Sequence, residues 1–314
     1  MLRQRIIIDT DPGIDDAMAI FFALNSPELE LIGLTTTFGN GHTDLTTINA
    51  LRLLEIAGHS DIPVAQGVPQ PIASAFSEPG AMVHGDDAQG NLQLPLPTNK
   101  VIQQSAAEFI VEQVMNAPGA ISLVPIGPLT NIALALQLEP RLARAVREVV
   151  IMGGNALCPG NITPAAEANI YHDVEAADIV FGADWPVTMV GLDVTHKTIL
   201  TGTQLKQLDQ SSKPTTRHLN GIIPFYLDFT RAVNKLDGIY LHDPTTLAYL
   251  VAPDAFKTQK WPIRVETENF SRGKTWPADH INKWSSPWLN RPLVNICVDV
   301  DGTRISNLIL ERLL

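Results

Sequence analysis

The chain has 314 residues, 45% of them apolar and 18% charged, a balance that predicts a large buried core and excludes a disordered chain. Its 33 acids against 22 bases leave a formal net charge of −11, so no basic face is expected and a nucleic-acid binder is excluded. Two distant cysteines, Cys158 and Cys297, make no disulfide framework and predict a reducing, cytoplasmic setting; the opening MLRQRIIIDTDPG is no secretory signal, and no run of 18 apolar residues is present to cross a membrane.

In chain order, residues 5–8 read as a short buried strand that feeds a loop with Pro12 and Gly13. Residues 14–24 predict a helix, 29–38 an apolar β-branched strand, 43–57 a helix and 62–65 a third strand. Residues 66–99 form a long polar connection, and connections of that length in compact domains tend to be functional. The alternation resumes with a helix over 101–115, a strand over 120–126 and a helix over 128–138. A strand over 149–152, a polar loop over 155–172, a helix over 175–181 and a strand over 187–194 follow. Residues 203–251 read as mostly helical, 257–290 carries no clear pattern, 293–298 is a late strand and 302–312 a closing helix. Strands alternating with helices predict an α/β fold. We expect a single domain over 1–314 with a mostly parallel central sheet flanked by helices and a Rossmann-like core. The unusual polar sequences follow the strands, where open parallel sheets bind ligands.

Asp9, Asp11, Asp15 and Asp16 place four carboxylates within eight residues. Like charges this close repel, and a divalent cation removes the conflict; oxygen ligands with no nearby His or Cys cluster point to Ca²⁺ or Mg²⁺. Asp15 and Asp16 open the helix, where its dipole favours negative charge, and Asp9 reads as supporting the site from behind. An EF-hand fails: counted from Asp9, the positions needing Gly and Glu hold Ile14 and Ile20. A strand followed by Asp-x-Asp also opens haloacid-dehalogenase phosphatases, which would make Asp9 a nucleophile. That family usually has Thr or Val where this chain has Gly13, and two further carboxylates follow here.

IIIDTDPGIDDAMAI resembles the N-terminal motif of the nucleoside hydrolases of the inosine-uridine preferring type. TTTFGN, LVPIGPLTNIA, EVVIMGG, GN with AEANIYHDVEAA, TMVGLDVTH and LHDP match that family's further blocks in order, over residues 5 to 312. The resemblance implies tight Ca²⁺ binding and hydrolysis of ribonucleosides to ribose and free base, a salvage reaction. It implies Asp11, Asp16, Asp243 and the backbone carbonyl of Ile126 as metal ligands, with Asp11 also the general base on an activated water. Cleavage would pass through an oxocarbenium-like sugar. Asp15, Asn40, Asn161, Glu167 and Asn169 would hold ribose hydroxyls, and Met152 would pack beneath the sugar or base. His242 would help protonate the leaving base, and His84 resembles a block near the base pocket. His196, Asn131 and Asn155 read as structural. The family is commonly dimeric or tetrameric, so a homo-oligomer is expected.

Relatives often close over the base with a helix that precedes LHDP, here PFYLDFTRAVNKLDGIYLHDP. Thr230 and Asn234 stand where larger residues are expected, and Phe225, Tyr226, Phe229 and Tyr240 remain as stackers. This inclines the reading to broad or pyrimidine-leaning ribonucleosides. Two other classes compete: a Mg²⁺-dependent Asp-x-Asp phosphatase, and a non-catalytic nucleoside or ribose binder.

Overall fold

The structure is a computed structural model and describes residues 3–76, 80–282 and 285–314. Part of the long connection (77–79) and part of 257–290 (283–284) lie outside the described residues.

Eleven strands are described: β1 (Gln4–Thr10), β2 (Leu29–Thr36), β3 (Val64–Gln66), β4 (Ile121–Pro125), β5 (Glu148–Met152), β6 (Val187–Val190), β7 (Ile199–Thr201), β8 (Gly238–Tyr240), β9 (Phe256–Val265), β10 (Thr275–Pro277) and β11 (Leu293–Val300). The helices in the first half are α1 (Ile14–Leu24), α2 (Thr43–Ala57), α3 (Ala81–His84), α4 (Ala106–Asn116), α5 (Thr130–Leu138) and α6 (Leu142–Ala145). In the second half they are α7 (Ala168–His172), α8 (Val174–Gly182), α9 (Leu192–Thr195), α10 (Gly202–Leu208), α11 (Pro214–Phe229), α12 (His242–Val251) and α13 (Gly302–Leu313).

Nine strands form one sheet in the order β10-β9-β11-β6-β5-β4-β1-β2-β3; β7 and β8 pair separately. Pairing is parallel from β3 to β6 and between β6 and β11, while β9 runs antiparallel to β11 and β10. The stretch β3-β2-β1-β4-β5-β6 reverses direction between β1 and β4, so a crevice opens beyond their carboxyl ends. β1 ends at Thr10 and β4 at Pro125. Asp11 and Ile126, the next residues along, therefore face that crevice from its two sides.

The strand sequence IIIDT is buried from Ile6 to Thr10 because helices cover both faces of the sheet. IDDAMAIFFAL is buried nearly all round, as expected of a helix apolar on every side. It packs against α2, α11, α12 and α13, so its amino end is held rigidly beyond the carboxyl end of the interior strand β1.

Several boundaries differ from the sequence reading, each for a visible reason. Residues 101–105 are not helical; α4 begins after Ser105, whose hydroxyl and Glu108 cap each other. Strand β6 stops at Val190 because Gly191 lies against the Gly154 backbone, and residues 192–195 turn into α9. Thr230–Asn234 is a π-helical turn, and a strand rather than a helix precedes LHDP. The patternless 257–290 contains a hairpin of β9 and β10 at the sheet's edge.

Gly33 on β2 carries a packing constraint: a Cβ there would lie 2.5 Å from the tip of the buried Phe109 ring on α4. Gly33→Ala should destabilise the chain by about 1–3 kcal/mol in urea unfolding, with partial recovery when Phe109→Leu is added. Strictly additive effects in the double variant would refute the contact.

Candidate active site

Four carboxylates meet at the amino end of α1 and the start of α12. Oxygens of Asp15, Asp16 and Asp243 lie within 4.8 Å of one another, all three buried. Asp11 belongs to the same electrostatic group, since Asp16 and Asp15 both raise its pKa. Thus 227 residues separate Asp16 from Asp243 in the chain, and the packing of α12 against α1 joins them.

Local donors set the loop's shape. Thr10 Oγ1 donates to Asp16 Oδ1 at 2.5 Å, and the Gly13 N–H donates to Asp16 Oδ2 at 2.9 Å, so Asp16 closes its own helix entrance. Asn40 donates its backbone N–H to Asp11 Oδ2 at 2.7 Å and its side-chain amide to Asp16 Oδ2 at 2.9 Å. The Asp11 carboxyl sits between Gly39 and Gly127, where a Cβ at either position would strike it. Its Oδ1 is buried and has no hydrogen-bond partner among the described residues. An orphaned buried carboxylate oxygen is costly unless a ligand or ion completes it.

Electrostatics point the same way. Burial first, then like charge from Asp16, holds Asp11 well above the usual carboxylate range. Asp15 is pushed up to about 8 for the same two reasons, and Asp243 is raised well above its ordinary value by burial and by Asp15, Asp16 and Asp11. The donors here are all hard oxygens, so the residues fit a hard divalent cation. Asp9 lies behind the cluster, 1% exposed, its Oδ1 accepting from Thr35 at 2.6 Å and Asn131 at 2.9 Å. Burial pushes Asp9 up to about 7. Two donors thus hold Asp9 Oδ1, while its buried Oδ2, like Asp11 Oδ1, has no hydrogen-bond partner among the described residues.

The other expected site residues divide into two groups. Asn169 donates to the Ile126 carbonyl at 2.8 Å and to Met152 Sδ at 3.3 Å, which unites the carboxyl ends of β4 and β5. Glu167 faces the same side, with Asp15 feeling its charge, but both its oxygens accept backbone N–H groups from Gly154, Asn169 and Ile170, so it caps α7. Asn161 is different: it is exposed on the loop before α7, and its Oδ1 accepts the Ala168 N–H at 3.0 Å. The structure gives it no contact with the carboxylates.

His84 Nδ1 accepts the Ile14 N–H at 3.1 Å, capping α1 and leaving the proton on Nε2. His242 Nδ1 pairs with the Thr195 hydroxyl at 2.8 Å. The Thr195 hydroxyl has no other acceptor among the described residues, so it donates to Nδ1 and the His242 proton sits on Nε2. Burial pushes both imidazoles down to about 3, so both are neutral. His196 stacks near Tyr240 and His242 at ring distances of 4.9 and 5.6 Å, a packing role. Asn131 and Asn155 serve mainly to bind backbone carbonyls, as expected.

Sequence reasoning missed Gln89. It is 1% exposed and its amide reaches the carbonyls of Pro12 and Gly13. Among the aromatic candidates, Tyr226 is buried, 6.0 Å from the His84 ring, with Asp15 and Asp243 as its charged neighbours.

A pH dependence follows for the metal-free chain. Asp9 and Asp15 have folded pKa values near 7 and 8 against 3.8 unfolded, so the folded state holds their protons longer. Their contribution is fully present below pH 3.8 and is lost as pH rises toward 8. Histidines with an ordinary pKa of 6.5 are neutral in both states only from about pH 7.5, where the opposing titration of the buried ones ends. In chelator, the thermal midpoint should therefore fall as pH rises from about 7.5 through the Asp15 value near 8, and a bound divalent cation should abolish the fall. A flat profile in chelator would contradict the electrostatic picture.

Comparison with known proteins agrees with this geometry over the whole chain. Residues 6–307 match the family described as inosine-uridine preferring nucleoside hydrolase. A protein of Arabidopsis thaliana named "Probable uridine nucleosidase 2" is 44% identical, covering 99% of this chain and 98% of that one. The inosine-uridine preferring nucleoside hydrolase of Crithidia fasciculata is 36% identical over 99% of this chain and 98% of its own. Among solved structures, a plant nucleoside hydrolase, the PpNRh1 enzyme, superposes with a TM-score of 0.96 at 41% identity, covering 99% of each chain. With Asp15 and Asp16 of α1 meeting Asp243 of α12 and the match running over nearly the whole chain, the chain belongs to the family of inosine-uridine preferring nucleoside hydrolases.

Proposed function

We propose that this enzyme hydrolyses the N-glycosidic bond of ribonucleosides with the help of Ca²⁺, and that Asp11 is its general base. The observation that carries the reading is the buried, unpartnered Asp11 Oδ1 beside the cluster of Asp15, Asp16 and Asp243. Asp11, Asp16 and Asp243, with the Ile126 carbonyl, would hold the ion. Several protein oxygens in one dry site favour Ca²⁺ over Mg²⁺, which keeps its waters and takes one or two carboxylates. When bound, the ion supplies a water of lowered pKa and an anchor for the sugar hydroxyls.

The chain's own groups do the rest. Asp11 takes the proton of the attacking water through Oδ1. Asp15 accepts hydrogen bonds from ribose hydroxyls, as does Glu167 through lone pairs its three backbone donors leave open. Asn169 presents its Oδ1 while its amide holds Ile126, and Asn40 and Asn161 complete the ribose contacts. A missing hydroxyl would leave the buried Asp15 carboxylate short of a donor, so ribose is preferred over deoxyribose. Met152 lies under the sugar. His242, neutral with its proton on Nε2, donates a hydrogen bond to the departing base, and His84 offers Nε2–H near the base. The names of the relatives, a uridine nucleosidase and an inosine-uridine hydrolase, support uridine as a substrate and a broad or pyrimidine-leaning range. Both cysteines are free, in keeping with a reducing cytoplasm. A homo-oligomer, dimer or tetramer, remains the expected assembly.

Release of free ribose from uridine, cytidine, inosine and adenosine tests the reading. We expect kcat/KM for the pyrimidines to match or exceed that for the purines, and a strong purine preference would overturn the range proposed. Asp11→Ala should lower kcat by about 10²–10⁴ with a much smaller change in substrate affinity; near-normal kcat would remove Asp11 as base. Asp16→Ala and Asp243→Ala should lose bound Ca²⁺ in elemental analysis, and unchanged metal content in both would refute the ligand set.

A further inference from the structure

We propose that Gln89 and His218 form a positioning relay that holds the Pro12–Gly13 turn, and so the spacing of the carboxylates around the metal, in register with helix α11. The proposal rests on the metal-site reading above.

Pro12 and Gly13 separate Asp11 from Asp15 and Asp16, so the path of this turn sets how far apart those carboxylates stand. The turn cannot use a sheet ladder: β1 has ended, and proline has no N–H. The Gly13 carbonyl accepts the Ala17 N–H of α1 at 3.2 Å, and side chains supply the other donors to the turn's carbonyls. Gln89 Nε2 lies 2.9 Å from the Gly13 carbonyl and 3.3 Å from that of Pro12, and Asn49 Nδ2 of α2 lies 3.3 Å from the Pro12 carbonyl. Gln89 Nε2 is also 3.0 Å from the carbonyl of Ala88.

Three carbonyl neighbours decide the amide's orientation, because a flipped Gln89 would turn its oxygen toward three oxygens. Oε1 therefore faces His218 Nε2 at 2.9 Å, and that nitrogen must carry the proton. The chain of donors runs one way: His218 to Gln89, and Gln89 to the turn. Both residues are buried, at 7% and 1% exposure, so water does not substitute for either. The His218 ring stands edge-on to Phe21 of α1, 6.1 Å away at 82°, which holds it against the same helix the turn leads into.

His218 lies on α11 two turns before Tyr226, whose charged neighbours are Asp15 and Asp243. The relay thus ties the helix over the site to the loop beneath it. Partners that orient metal ligands from behind typically contribute 10–100-fold to metal affinity. A buried polar pair could also serve packing alone, and the two roles separate by experiment.

His218→Phe keeps an aromatic ring against Phe21 and cannot donate. His218→Gln places an amide Nε2 at a similar reach and restores a donor. Calorimetric titration of Ca²⁺ into chelator-treated full-length protein, without nucleoside, gives the metal affinity of each. His218→Phe should weaken Ca²⁺ binding by about tenfold or more, and His218→Gln should recover most of the loss. The same ordering should appear in kcat for uridine at saturating Ca²⁺. Parental Ca²⁺ affinity in His218→Phe with a lowered metal-free melting point would show a packing role and overturn the relay. Equal weakening in both variants would show that the donor is irrelevant and do the same. If His218→Phe does not fold, Gln89→Met, of similar length without donors, carries the same expectation. A parent protein that binds no Ca²⁺ overturns the metal reading itself, whereas a binding parent with unaffected variants overturns the relay alone.

Discussion

Four carboxylates converge in a place that water barely reaches, and everything near them answers to their mutual repulsion. The oxygens of Asp15, Asp16 and Asp243 lie within 4.8 Å of one another, and two full charges that far apart repel by roughly 3 kcal/mol at an effective dielectric of about 20. A few such pairs rival the whole net stability of a domain, about 5–15 kcal/mol. The cluster therefore has to be neutralised by protons or by a cation. Thr10, Gly13 and Asn40 donate to Asp16 and Asp11, yet Asp11 Oδ1 stays unpaired. That residual deficit is what a bound ion would meet.

The sheet makes such a cluster possible. The reversal between β1 and β4 brings Asp11 and Ile126 to the two sides of one crevice, and α12 brings Asp243 from the far end of the chain against α1. Gly39 and Gly127 leave room for the Asp11 carboxyl where any side chain would collide with it. Behind these carboxylates and the Ile126 carbonyl lies a second ring of directed donors. Asn131 and Thr35 hold Asp9, Asn169 holds the Ile126 carbonyl, and His84 holds the helix entrance. Each is anchored on a rigid element, which keeps a site within the narrow geometric limits catalysis requires.

Charge and hydrogen-bond direction are divided among the residues. The negative charge belongs to the aspartates, while His84 and His242 are held neutral by burial and contribute oriented N–H groups. The same division explains Glu167, whose carboxylate organises the start of α7 while facing Asp15.

The alternating elements, the helix bounds of 14–24 and 43–57, and the aspartate loop were all legible in the sequence, because apolar period, turn formers and charge density are properties of a few neighbouring residues. The metal-ligand set needed the family's blocks to link position 243 to the first helix, and the hairpin in 257–290 had no local signature. Asn161 was reached only through its motif, and its Oδ1 here accepts the Ala168 N–H at the start of α7. Gln89 was not reached at all. Its partners lie 76 and 129 residues away, and an isolated glutamine in a polar stretch carries no mark of them. The amino-acid order alone determined which chemistry the chain could perform, through the carboxylates it places beside one strand. Only the folded sheet and its covering helices decided which distant side chains hold those carboxylates, since hydrogen-bond partners are chosen by proximity in space.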